Sequence, residues 1–147
     1  MFDVIGFDAD DTLWHNESIF TITQEKFREI LNSHNTDLVN KTLSSTQIKN
    51  LKLFGYGIKG FILSMVETSI ELTNGEINGN EIQKIIDFGR EMLANPIELL
   101  PNVQEVIEDL SRKYRLLLIT KGDLIDQETK IARSGLAEFF TGVEIVS

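Results

Sequence analysis

Two kinds of hydrophobic pattern follow one another along this chain. Residues 2–7 (Phe-Asp-Val-Ile-Gly-Phe) form a short apolar run that stops abruptly at Asp8-Ala9-Asp10-Asp11. That is the pattern of a strand buried in a parallel sheet and followed by a polar loop. The period then changes. Phe20, Thr23, Phe27, Ile30 and Leu31 recur at helical spacing, with Asn16 or Ser18 available as N-cap. Val39, Leu43, Ile48 and Leu51 predict a second, weaker helix over 36–53, interrupted by Gly55-Tyr56-Gly57-Ile58-Lys59-Gly60. Residues 61–72 are apolar over a broad face, which predicts a helix central to a bundle. Asn74-Gly75 and Asn78-Gly79-Asn80 mark a turn. Beyond it, Ile82, Ile85, Ile86, Gly89, Met92 and Leu93 give the clearest amphipathic stripe.

The only two prolines, Pro96 and Pro101, bracket a boundary. After them helices and strands alternate. Asn102 is the expected cap of a helix, with Glu105 at the reciprocal position and Val103, Val106, Ile107 and Leu110 as its buried stripe. Residues 115–120 (Arg-Leu-Leu-Leu-Ile-Thr) read as a second buried strand. Asp123 caps a further helix ending near Gly135, and residues 143–146 form a third strand. A strand, an all-helical stretch, then alternating elements imply an α/β core at 1–14 and 95–147, with a helical insertion at 15–94. Ligands of such sheets bind outside the carboxyl ends of the strands. Two polar clusters fall there: Asp8-Ala9-Asp10-Asp11-Thr12 and Thr120-Lys121-Gly122-Asp123.

Residues two apart in an extended segment point to the same side, so Asp8 and Asp10 can address one site. Two carboxylates that close repel unless a proton or cation lies between them. Magnesium suits such oxygen ligands and often bridges one or two carboxylates to a phosphate. One carboxylate can then attack phosphorus, while the other protonates the leaving oxygen and later takes a proton from water. A hydroxyl at the second strand end, Thr120, can hydrogen-bond the transferring phosphoryl group.

The run Phe7-Asp8-Ala9-Asp10-Asp11-Thr12-Leu13 resembles the first motif of the haloacid dehalogenase-like hydrolases, an apolar strand followed by Asp-x-Asp-x-Thr. Ile119-Thr120-Lys121-Gly122-Asp123 is similar to their second. The resemblance implies a Rossmann-like parallel-sheet core with an inserted α-helical bundle cap. It implies Asp8 as nucleophile, Asp10 as general acid/base, and both as magnesium ligands, Asp10 through its backbone carbonyl. Thr120 and the amides after it become phosphate ligands. An acid at position 10 points to phosphatase chemistry, because the dehalogenases of the family lack one there. The implied activity is magnesium-dependent hydrolysis of small phosphorylated metabolites. A phosphomutase using the same aspartates is the enzymatic alternative, and a fragment that only binds phosphate or metal is the alternative of another class. The family's second motif usually continues with Asn, where this chain has Lys121, which either adds positive charge near the phosphate or faces solvent. The family's Lys and acidic pair normally follow the third strand. The chain is therefore expected to be the front part of a longer enzyme, with the C-terminal part of the core missing and activity absent or impaired. The open sheet edge makes self-association a further expectation.

Composition narrows this picture. The 147 residues suffice for one ordinary domain or a small core with an insertion. The net charge of −9 argues against nucleic acid as a partner. No apolar run approaches the roughly 20 residues that span a bilayer. The absence of cysteine excludes a thiolate nucleophile and a disulfide framework. The first residues carry two acids and no basic start, unlike a signal peptide, so a cytoplasmic location is expected. A calcium loop from Asp8 fails, since Leu13 takes its glycine position and Ile19 its glutamate position. Gly55–Gly60 spells Gly-x-Gly-x-x-Gly, but no strand precedes it, so a helix–helix connection is expected rather than a dinucleotide site. In caps of the resembled family such a connection can face the active site, making Tyr56 and Lys59 candidate substrate contacts.

Overall fold

A three-stranded parallel sheet carries both polar clusters at the carboxyl ends of its first two strands. The protein is described by a computed structural model covering residues 2–146. Strand β1 (Val4–Phe7) is followed by four helices, α1 (Glu17–Ile30), α2 (Thr36–Phe54), α3 (Ile58–Leu72) and α4 (Gly79–Ala94). Then come α5 (Val103–Ser111), β2 (Arg115–Lys121), α6 (Leu124–Ser134), a 3-10 turn (Ala137–Phe139) and β3 (Gly142–Val146). The sheet order is β1-β2-β3, with Phe7 opposite Leu118 and Thr120 opposite Ile145. This is the expected α/β architecture, a parallel sheet with a helical stretch after its first strand.

The chain divides into two compact units, Met1–Ser18 with Pro96–Ser147, and Ile19–Asn95. In the first, β2 turns Leu116 and Leu118 fully inward against Trp14, Ile107, Ile131 and Leu136. β1 is more open than its sequence suggests, with Val4 43% exposed, because among the described residues it pairs only with β2. In the second unit, Phe27, Leu43, Met65, Ile85 and Met92 form the core of a helical bundle. α3 starts three residues earlier than the apolar run predicts. Gly55, at φ 72°, stops α2, and Gly57, at φ 111°, opens α3, so this segment is a tight helix–helix connection. Asn78, read from sequence as part of a turn, forms with Glu81 a reciprocal cap on α4. No helix among the described residues is long and apolar enough to cross a membrane.

Candidate functional site

The loop after β1 folds tightly around Ala9. Ala9 is fully buried, and its carbonyl accepts from the amides of Thr12 (3.1 Å) and Leu13 (2.8 Å). With Ala9 turned into the core, alternation sends its neighbours Asp8 and Asp10 the other way. The three acids then take three different duties. Asp8 stays exposed, and its Oδ2 accepts from the Thr12 hydroxyl at 3.2 Å. Asp11 adopts a left-handed backbone, φ 57°, and its carboxylate accepts from the amides of Asn16 (2.9 Å) and Glu17 (3.1 Å). Asp11 thus satisfies amides at the start of α1, where a negative charge also meets the positive end of the helix dipole.

Asp10 is gripped from two elements. The Trp14 indole donates to its Oδ1 at 2.8 Å, and the Gln127 side-chain amide donates to its Oδ2 at 2.8 Å. The Lys130 ammonium lies 3.2 Å from Oδ1 and 3.4 Å from Oδ2. Lys130 also donates to Asn16 Oδ1 at 2.9 Å and sits 3.5 Å from Asp126 Oδ2. Burial raises the Asp126 carboxyl above its ordinary pKa. The Lys130 charge opposes that shift, while the charges of Asp10 and Asp123 add to it.

The second strand end lies alongside. Thr120 is 3% exposed at the end of β2, Lys121 is exposed, and Gly122 donates its amide to Val146 O at 2.9 Å. Asp123 caps α6 as its sequence predicts, accepting from the Asp126 amide at 3.1 Å. One side chain joins the two clusters. The Gln127 amide that holds Asp10 also donates to Lys121 O at 2.8 Å. Asp8, Asp10, Thr120 and Lys121 therefore belong to a single unit. Tyr56 and Lys59 belong to the other, both exposed at the α2–α3 connection, where Tyr56 borders a cavity of about 150 Å³ with Phe20, Asn50 and Phe61. Among the described residues, no three acids or histidines converge as a metal cluster.

The sequence profile of the haloacid dehalogenase-like hydrolases matches residues 2–147. The chain belongs to this family. The hydrolase is similar to a haloacid dehalogenase-like family hydrolase from Xanthomonas campestris, at 42% identity and a TM-score of 0.93, over 99% of this chain and 62% of that one. It also resembles a HAD-hydrolase from Bacillus subtilis bound to magnesium, at 16% identity and a TM-score of 0.60, over 98% and 63% of the two chains. An L-2-haloacid dehalogenase from Xanthobacter autotrophicus matches at 14% identity and a TM-score of 0.59, over 99% and 57%. The last two likenesses are of fold alone. The chain spans less than two thirds of the length of each of these structures. No curated protein matches it.

Sequence reasoning on this HAD-like hydrolase missed Trp14, Gln127 and Lys130 as partners of Asp10. A signal was present in α6. Leu124 and Ile125 are 56% and 66% exposed there, whereas Asp126 and Gln127 are buried. That inverts the usual preference, and a buried amide needs polar partners.

Proposed function

We propose that this HAD-like hydrolase is a magnesium-dependent phosphatase of small phosphorylated metabolites, acting through an aspartyl phosphate on Asp8. The observation that carries the reading is a second carboxylate, Asp10, two residues beyond the exposed Asp8 and held by hydrogen-bond donors on both of its oxygens. A dehalogenase-type site has no acid at that position, and a phosphatase needs one. In this reading the Asp8 oxygen attacks phosphorus and the bond to the leaving oxygen breaks. Asp10 supplies that oxygen with a proton. In the second half, Asp10 takes a proton from a water that attacks the phosphoryl group, and Asp8 is released. The Thr120 hydroxyl and the Lys121 ammonium address the phosphoryl oxygens.

The donor set suits magnesium, which takes oxygen ligands and is often bound by only one or two carboxylates plus the substrate phosphate. The Asp8 carboxylate is one such oxygen. The Asp10 carboxylate is occupied by Trp14, Gln127 and Lys130, so its backbone carbonyl is the atom it would offer. Magnesium, when bound, offsets charge on the transferring group. In the same reading the helical insertion at 15–94 serves as the cap, and Tyr56 and Lys59 are its candidate contributors to substrate choice. Cytoplasmic small metabolites are the expected substrates.

Hydrolysis of p-nitrophenyl phosphate with magnesium tests this reading. Whatever turnover the chain shows should vanish in Asp8→Asn and with a chelator. Turnover that survives Asp8→Asn would refute it. So would halide release from a 2-haloacid in a protein that leaves every phosphate monoester intact.

A further inference from the structure

Four polar side chains, none of them at the core of the predicted site, converge around Asp10: Trp14, Asp126, Gln127 and Lys130. Gln127 and Lys130 are three apart on α6, so they share a face of the helix. They reach a carboxylate 117 and 120 residues away in sequence. Neither is a surface residue meeting Asp10 by chance. Gln127 is 2% exposed and the Lys130 side chain 12%. Among the described residues, the Gln127 Oε1 atom accepts no hydrogen bond, while both hydrogens of the amide are used, one on Asp10 Oδ2 and one on Lys121 O. An apolar side chain would fill this space without the cost of an unpaired buried acceptor. The amide gains nothing here as packing, and its return is the orientation of its two donors.

The backbone has been shaped around that orientation. A side chain at Gly122 would place Cβ 2.7 Å from Gln127 Nε2, and Gly122 holds φ at 149°. Lys130, almost enclosed, is a cation of the kind that folded proteins bury only when it is paired. Its ammonium stands between Asp10, Asp126 and Asn16. Trp14 closes the third side, 1% exposed and donating its indole hydrogen to Oδ1.

We propose that Gln127 and Lys130, with the Trp14 indole, are positioning residues that fix the direction of the Asp10 carboxylate relative to the Asp8 loop and the end of β2. This inference rests on the phosphatase reading only for its effect on rate; the positioning itself can be observed without turnover. Removing the charged donor lets the carboxylate rotate, and a misplacement of about 1 Å in a reacting group can lower the rate on the order of 100-fold.

The test compares the full chain with Lys130→Met, Lys130→Arg, Gln127→Ala and Asp10→Asn. Two readouts are followed: kcat and KM for p-nitrophenyl phosphate with magnesium, and the emission of Trp14, the only tryptophan. Lys130→Met and Gln127→Ala should lower kcat by about 10- to 100-fold with KM within about twofold, and Lys130→Arg should recover most of the loss. Lys130→Met and Asp10→Asn should shift the Trp14 emission in the same direction. Folded Lys130→Met and Gln127→Ala proteins with unchanged kcat and unchanged emission would overturn the proposal. Should the unsubstituted chain hydrolyse no phosphate monoester, the kinetic readout falls away and the emission alone decides. A shift shared by Lys130→Met and Asp10→Asn upholds the positioning, and its absence removes it.

Discussion

Gly122→Ala is the substitution whose cost is best defined by the geometry around Asp10. Two separate penalties apply. At φ 149° an alanine is strained whatever space surrounds it, at about 1–3 kcal/mol. The new Cβ would also lie 2.7 Å from Gln127 Nε2 and 3.2 Å from its Cγ, so the Gln127 amide must move. That movement breaks a bond to a carboxylate, about 1.5–3 kcal/mol, and one to a carbonyl, about 0.5–1.5 kcal/mol. The sum is about 3–7.5 kcal/mol, a large share of the roughly 5–15 kcal/mol that stabilises a domain. The second penalty depends on Gln127 being there. In a Gln127→Ala background the obstructing atoms are gone, and Gly122→Ala should cost only its backbone strain. The double-mutant cycle should therefore return a coupling of about 2–4.5 kcal/mol. Urea unfolding of all four proteins, followed by Trp14 emission in the same unit and in one fixed concentration of sucrose to keep the weakest folded, measures it. A coupling within about 0.5 kcal/mol of zero would refute the claim that this glycine exists to seat Gln127.

Two further predictions concern the same unit. Burial gives Asp126 a folded-state pKa above its ordinary value of 3.8, so its ionisation opposes folding. The stability tied to its protonated form is fully present below that ordinary value and is lost as pH rises through the folded one. The melting temperature of Asp126→Asn should accordingly gain on that of the unsubstituted chain as pH climbs from acid to neutral, and a pH-independent difference would contradict the assignment. Asp11→Ala removes the acceptor for two amides and leaves a left-handed backbone without a residue suited to it. It should cost about 1–3 kcal/mol in urea unfolding, whereas Asp11→Asn, which caps and tolerates that backbone, should lie within about 0.5 kcal/mol of the original.

Local pattern made most of the fold legible. The burst of apolar residues before Asp8, the Leu-Leu-Leu-Ile run of β2 and the 3.6-residue stripe of α4 each declare their element through neighbours in sequence. The cap at Asp123 follows for the same reason. Where local reasoning misled, backbone conformation or a distant partner had prevailed. Asn102 looks like the cap of α5, yet it sits at φ 65° with no capping bond from its side chain. Asp11 shares a cluster with Asp8 and Asp10 and has no role assigned by its sequence, yet it serves the amides of residues 16 and 17. The grip on Asp10 is the clearest case. Nothing near Gln127 or Lys130 in sequence announces a carboxylate 117 residues away, and only the burial of polar residues beside exposed Leu124 and Ile125 betrays it.

The helical unit leaves and rejoins the core through a short ladder. Trp14 pairs with Leu99 in antiparallel fashion, the His15 amide donates to Glu98 O at 3.0 Å, and the Leu100 amide donates to Leu13 O at 2.9 Å. Entry and exit strands held this way stand about 5 Å apart. The core thus treats everything between them as a closed loop whose length hardly matters, since closure entropy grows only logarithmically with the residues enclosed. Such a socket makes the insertion exchangeable. A different helical bundle, or a two-residue hairpin turn, should be graftable across the same rungs while the strand ends keep their registry.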